Sequence, residues 1–142
     1  MATNQVLLDT DILSEYLKGK DQNVVRHAQK YSKEFPKFTF SSVTVFEIVR
    51  GLEEKGAASQ VSKAIVWLER NDQIVPTAED YLTSAYLKAR AKARGRVIEL
   101  PDCLIASAAS RLGLTLVTGN TKDFEVIIAA GSPLTLANWR EI

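Results

Sequence analysis

Two kinds of apolar pattern alternate along the chain. Short continuous runs stand at QVLLD (5–9), KFTFSS (37–42), DQIVP (72–76), LTLVT (114–118) and PLTLAN (133–138), each read as a strand. Between them, apolar positions recur at helical spacing. DILSEYLKG carries Ile12, Leu13, Tyr16 and Leu17, with Gly19 as a C-cap. Residues 21–34 follow, capped by Asp21, with Val24, Val25, Ala28 and Tyr31 facing inward and Pro36 closing the segment. In VTVFEIVRGLEEKG, Ser42 is the expected cap and Val45, Phe46, Val49 and Leu52 the expected inner face. Residues 57–70 place Val61, Ile65 and Leu68 on one side. Thr77 caps a long helix reaching Arg94 and broken at Gly95. LPDCLIASAASRLG (100–113) has Pro101 in its first turn and Gly113 at its end. GNTKDFEVIIAAG reads as a loop and a short helix.

Strands that are apolar along their whole length are buried on both faces. Their alternation with helices predicts an α/β fold, a parallel sheet covered on both sides. Sites in such sheets form outside the carboxyl ends of the strands. No internal repeat, low-complexity tract or linker interrupts the chain, so residues 1–142 are expected to form a single domain.

Composition narrows the class. Of 142 residues, 46% are hydrophobic and 25% charged, the balance of a soluble globular protein. A lone cysteine, Cys103, cannot form an internal bridge, and no Cys/His group has zinc spacing. The opening MATNQVLLD has no basic start or long apolar region, and no run approaches a membrane span, so a cytoplasmic protein is expected. The formal net charge of +1 does not mark a nucleic-acid binder. KARAKARGR, residues 88–96, is different: Lys88, Arg90, Lys92, Arg94 and Arg96 occur without an acid among them. This is either a solvated helix face or a stripe that contacts phosphates.

The carboxylates carry the chemistry. Asp9 ends the first strand, with Asp11 two positions on; Glu47 lies between Phe46 and Ile48; Asp102 precedes the apolar CLIASAA; Asp123 follows the LTLVT strand. Each lies beyond a strand or in the first turns of a helix beside one. Gathered together they would repel one another, and protonation or a bound cation would relieve the repulsion. Oxygen-only ligands select a hard dication such as Mg²⁺ or Mn²⁺, which can drive phosphodiester hydrolysis without a histidine pair. The only histidine, His27, lies in a polar stretch and is expected at the surface, whereas Cys103 is expected in the core.

Other chemistries fit less well. DTDIL is similar to the DxD signature of haloacid-dehalogenase-type phosphatases, and Thr118 to their second motif. Only 24 residues follow Thr118, too few for that family's separate lysine and acidic elements. A receiver domain needs an aspartate at the end of its third strand, where this chain has Pro76. Neither GxxxxGK[ST] nor GxGxxG occurs, and no serine has a recognisable histidine partner.

LLDTDILSEYL, SSVTVFEIVRGLE, LPDCLIASAASRLG and LTLVTGNTKDF, in that order, resemble the PIN-domain endoribonucleases, specifically the VapC-type toxins of toxin–antitoxin pairs. The resemblance implies a three-layer α/β/α domain with an acidic Mg²⁺ pocket, Mn²⁺ being a possible substitute. Asp9, Glu47, Asp102 and the more variable Asp123 match the family's metal-binding and catalytic acids. Thr10, Asp11, Thr118 and Asn120 match the positions that support them. The implied substrate is RNA, often tRNA or rRNA, held by Lys88, Arg90, Lys92, Arg94 and Arg96. The implied partners are a cognate antitoxin, for which Leu13, Tyr16 and Leu17 could offer surface or could instead be core, and a second copy of the chain. An RNA-processing PIN nuclease outside any toxin pair is the alternative.

Overall fold

In a computed structural model that describes residues 4–142, five short strands form one parallel sheet in the order β3-β2-β1-β4-β5. The strands are β1 (Val6–Leu8), β2 (Thr39–Ser41), β3 (Asp72–Ile74), β4 (Thr115–Val117) and β5 (Leu136–Ala137). The reading of the first residues as leaderless falls partly on residues 1–3, outside the described part.

Side chains of adjacent strand residues point to opposite faces, and the two faces carry separate cores. Val6, Leu8 and Val117 pack with Phe40, Ile12, Leu13, Val24, Tyr31 and Leu68. Leu7 and Leu116 pack on the other side with Leu87, Ile105, Phe124 and Ile127. The first face is covered by α1 (Thr10–Lys18), α2 (Gln22–Ser32), α3 (Ser42–Glu54) and α4 (Ala58–Glu69). The second is covered by α5 (Ala78–Ala93), α6 (Leu100–Leu112) and α7 (Thr121–Ala129). This is the expected three-layer α/β/α arrangement with a parallel centre.

Most helix ends follow local chemistry. Asp21 Oδ1 accepts from the backbone N–H of Asn23 at 3.0 Å and of Val24 at 3.1 Å. Thr77 and Asp80 form a reciprocal capping box at the start of α5. Two expectations need correction. The cap of α3 is Ser41, whose Oγ accepts from Val43 N–H at 3.0 Å, because Ser42 has already entered the helix. Phe46 does not face the core but is 61% exposed, with the Arg50 guanidinium 5.5 Å above its ring. α3 packs on α1 and α4 through Val45, Ile48, Val49 and Leu52. At about 100° per residue, position 46 lies about 200° round from Ile48, on the solvent side.

Strand order places the functional end. β1 is central, flanked by β2 and β4, and the chain moves outward in one direction through β2 and β3 and then in the other through β4 and β5. The carboxyl ends of β1 and β4 therefore meet at the topological switch point, where parallel sheets bind ligands.

Candidate active site

At the switch point the first acid is held by both of its oxygens. Asp9 lies just past β1 and caps α1, its Oδ1 accepting the Thr10 N–H at 2.8 Å. Its Oδ2 accepts the Thr118 hydroxyl at 2.8 Å, from just past β4. Both Asp9 and Thr118 are buried.

Three of the other acids are also tied. Thr10 Oγ1 donates to Glu47 Oε1 at 2.7 Å and lies 2.9 Å from Thr44 Oγ1, joining α1 to α3. Asp11 Oδ1 accepts from Ile12 N–H at 2.8 Å, and its Oδ2 accepts from Gly119 N–H at 2.9 Å, joining α1 to the loop after β4. Asn120 donates its backbone N–H to Thr118 Oγ1 at 3.0 Å and its side-chain amide to Asp123 Oδ2 at 2.8 Å. The TGN segment therefore holds three acids from one turn. Asp102 enters from the first turn of α6.

Mutual repulsion shows that these groups share one neighbourhood. Burial, then the charges of Asp11 and Asp102, push the Asp9 carboxyl up from 3.8 to about 7, against the opposing Thr118 and Thr10 hydrogen bonds. Burial, then Glu47, Asp123, Glu99 and Asp11, push Asp102 from 3.8 to about 6. Asp9, Asp11, Glu47, Asp102 and Asp123 thus come together from four segments of the chain. Glu99, at the N-cap position of α6, adds charge that the motif reading did not include.

The donor set suits a hard dication, being all oxygen with surplus negative charge. Among the described residues, however, no three of these acids form a ready-made metal cage. The reason is visible in the hydrogen bonds: Glu47 is turned to Thr10, Asp11 to Gly119 and Asp123 to Asn120. The residues fit the ion in charge and atom type.

The basic tract is not one stripe. Residues two apart on a helix point to opposite sides. Lys88 turns to the Ile98 carbonyl, Arg90 lies 5.8 Å from the centre of the Tyr86 ring, and Arg94 donates to Ala129 O at 3.0 Å. Arg94 and Arg96 line a cleft of about 410 Å³ with Lys122 and Glu125, between the end of α5 and α7, while Lys92 is exposed elsewhere on α5. His27 is half-buried against Trp139, with its ring stacked at 5.9 Å, and Cys103 is buried as expected.

The sequence reading also missed Thr44, Gly119 and Arg140. Thr44 lies three residues before Glu47, a helical spacing that could have shown it. Arg140 comes from the C-terminal stretch and lies 3.8 Å from Asp11, a contact no local pattern announces.

An acidic cup at the switch point of a parallel α/β/α sheet is the architecture that the motif order implied, and a family model described as "PIN domain" matches residues 6–128. The chain belongs to the PIN domain family, the nuclease family its acidic motifs resemble. Within that family its relatives are of the VapC type. It is 29% identical over 121 residues to a tRNA(fMet)-specific endonuclease VapC of Shigella flexneri, covering 84% of this chain and 89% of the relative. It is 26% identical to Ribonuclease VapC2 of Haemophilus influenzae, covering 94% and 96%. Among solved structures, VapBC-1 from nontypeable Haemophilus influenzae matches with a TM-score of 0.78 at 26% identity, over 97% of this chain and 100% of that one. VapBC2 from Rickettsia felis, bound to a DNA fragment from its promoter, matches with a TM-score of 0.77 at 25% identity, over 96% and 99%.

Proposed function

We propose that residues 1–142 act as one PIN domain, a Mg²⁺-dependent endoribonuclease that is the toxin of a toxin–antitoxin pair. Its substrate is RNA, with tRNA or rRNA the target class, and its cutting inhibits translation. The observation that carries the reading is the convergence of Asp9, Asp102, Glu47, Asp123 and Asp11 at one strand-end pocket, with Asp9 and Asp102 raised by burial and by the neighbouring acids.

In this reading Asp9 and Asp102 hold the principal ion, and Glu47 and Asp123 complete its surroundings. The dication, when bound, supplies an activated water and neutralises charge on the phosphodiester. The chain's own residues supply orientation. Thr118 fixes one oxygen of Asp9, Thr10 restrains Glu47, and Asn120 restrains Asp123. Asp11 tethers the loop after β4 to α1 and adds negative potential.

A groove of about 580 Å³ between α1, α3 and α4 supports the antitoxin assignment. It is lined by Leu17, Ile48, Leu52 and Trp67 and reaches Glu47. Leu13 is core and Tyr16 is packed against it, so Leu17 is the member of the first helix left to a partner. Tyr81, Leu82 and Tyr86 lie exposed on α5 and offer an apolar surface for a second copy of the chain. Among the described residues no helix is long and apolar enough to cross a membrane.

The test is incubation of the purified chain with labelled RNA, with Mg²⁺ and with chelator, beside Asp9→Asn. Cleavage that needs the metal and is lost in the variant is expected. Full Mg²⁺-dependent cleavage by Asp9→Asn would reject the site.

A further inference from the structure

The C-terminal stretch after β5 is clasped by α2. Asn23 Nδ2 donates to Arg140 O at 2.8 Å, and His27 Nε2 lies 2.8 Å from Glu141 O. Arg140 N–H donates to Asn138 Oδ1 at 2.9 Å, and the buried Trp139 ring stacks on His27. The backbone at position 140 is thus held on both sides, and its side chain reaches the rim of the acidic pocket. There Arg140 Nη2 stands 3.8 Å from both Asp11 Oδ2 and Glu15 Oε1.

The guanidinium also lies against the TGN loop. A Cβ added at Gly119 would sit 2.6 Å from Arg140 Nη1 and 2.8 Å from Asp11 Oδ2. Gly119 is not among the glycines with positive φ, so a Cβ there would not strain the backbone but would displace the ends of the Arg140 and Asp11 side chains.

Arg140 combines a place beside the acids with a lightly committed guanidinium. Arg111 gives two hydrogen bonds to Asp80 at 2.9 Å each, and Arg94 donates to a backbone carbonyl. The Arg140 ion pairs are longer than hydrogen bonds, and no other acceptor engages its guanidinium among the described residues. Its side chain is 39% exposed. A fixed base, a planar fork of uncommitted donors and a position beside acids that repel a polyanion suit one ligand class, the phosphodiester.

We propose that Arg140 is a substrate-binding residue that grips a phosphate of the RNA strand beside the acidic pocket, exchanging its two loose carboxylate contacts for a bidentate phosphate contact. This rests on the ribonuclease reading above. Asp11 and Glu15 aim the fork when RNA is absent, and Gly119 leaves the space it occupies.

The test uses the full chain with a fluorescent single-stranded RNA, measuring binding in chelator and cleavage in Mn²⁺ across a salt series. Arg140→Gln is expected to weaken binding and raise KM about tenfold, keep kcat within about twofold, and reduce the salt slope by about one phosphate contact. Gly119→Ala should shift KM in the same direction, and Arg140→Lys should recover part of the affinity by keeping the charge. Mn²⁺ affinity should be unchanged in Arg140→Gln. The assignment is overturned if Arg140→Gln binds RNA with wild-type affinity and salt slope, if its loss lies in kcat with weakened Mn²⁺ binding, or if it loses only antitoxin inhibition. A wild-type chain that binds RNA but does not cut it would defeat the nuclease reading and leave the Arg140 comparison measurable in the binding arm. One that neither binds nor cuts RNA would defeat both.

Discussion

The Thr118 hydroxyl donates to Asp9 Oδ2 at 2.8 Å, joining residues 109 positions apart in the chain. This bond crosses the junction of β1 and β4 and opposes the burial and repulsion that push the Asp9 carboxyl up. Thr118→Val keeps the shape and removes the donor. Asp9 should then ionise only at higher pH. The acid limb of the cleavage pH–rate profile should move upward, with about a tenfold loss of activity near neutrality. An unmoved profile would show that the bond does not tune the site.

Metal-free protein should lose stability as pH rises. Asp9 and Asp102 have folded-state values near 7 and 6, above the ordinary 3.8, so folding favours their protonated forms. The stability they contribute is fully present below the unfolded value and is lost as pH rises through about 6 and then 7. In chelator, the melting temperature should fall between pH 5 and pH 8, and Mn²⁺ should restore it at pH 8. Asp9→Asn should flatten the decline and be more stable than the parent at pH 8 by a few kcal/mol, at about 1.4 kcal/mol for each tenfold change in proton affinity.

Asp102→Asn should abolish most cleavage without unfolding the chain. The change removes a charge from a crowded acidic neighbourhood and leaves α6, whose Cys103, Ile105, Ala106 and Ala109 are core, undisturbed. A loss of at least about 100-fold is expected, larger than that of groups that only support a metal ligand. Melting in chelator should be unchanged at pH 5 and raised at pH 8.

The ion pair farther from the site should behave in the opposite sense with pH. Burial pushes the Asp80 carboxyl up, but two Arg111 hydrogen bonds and the Thr77 N–H outweigh it and hold it below 3.8. Its contribution is therefore present above the ordinary carboxylate range and is lost as pH falls through the depressed value. Asp80→Ala leaves Arg111 without its partner and breaks the α5 capping box, so a loss of about 3–5 kcal/mol is expected in denaturant unfolding at neutral pH.

Local signals were legible where one stretch of chain is enough to decide. Asp21, Thr77, Gly19 and Gly113 cap their helices as expected, because a cap needs only backbone groups a few residues away. Ser41 in place of Ser42 is a one-residue boundary slip between two adjacent serines. Phe46 is a different failure. Helical period fixes which residues share a stripe, but which arc faces inward depends on the neighbouring helices, and α1 and α4 claim the side away from Phe46. The partners of the basic tract depend on tertiary structure in the same way: Lys88 is turned to the Ile98 carbonyl and Arg94 to the end of α7.

From the order of its motifs alone, the chain declares a parallel α/β sheet and marks the four acids Asp9, Glu47, Asp102 and Asp123 as candidates for its site. Strand character, helix period and residue type are properties of short segments. Tertiary structure alone decided that Thr118 reaches Asp9, that Gly119 leaves the space Arg140 occupies, and that Asp9, Asp11, Glu47 and Asp123 are tethered rather than caged. Those facts depend on strand order, which brings the ends of β1 and β4 side by side, and on a C-terminal clasp that sets one arginine at the rim. Contacts between residues a hundred positions apart leave no periodic trace in the sequence, because only the folded sheet makes them neighbours.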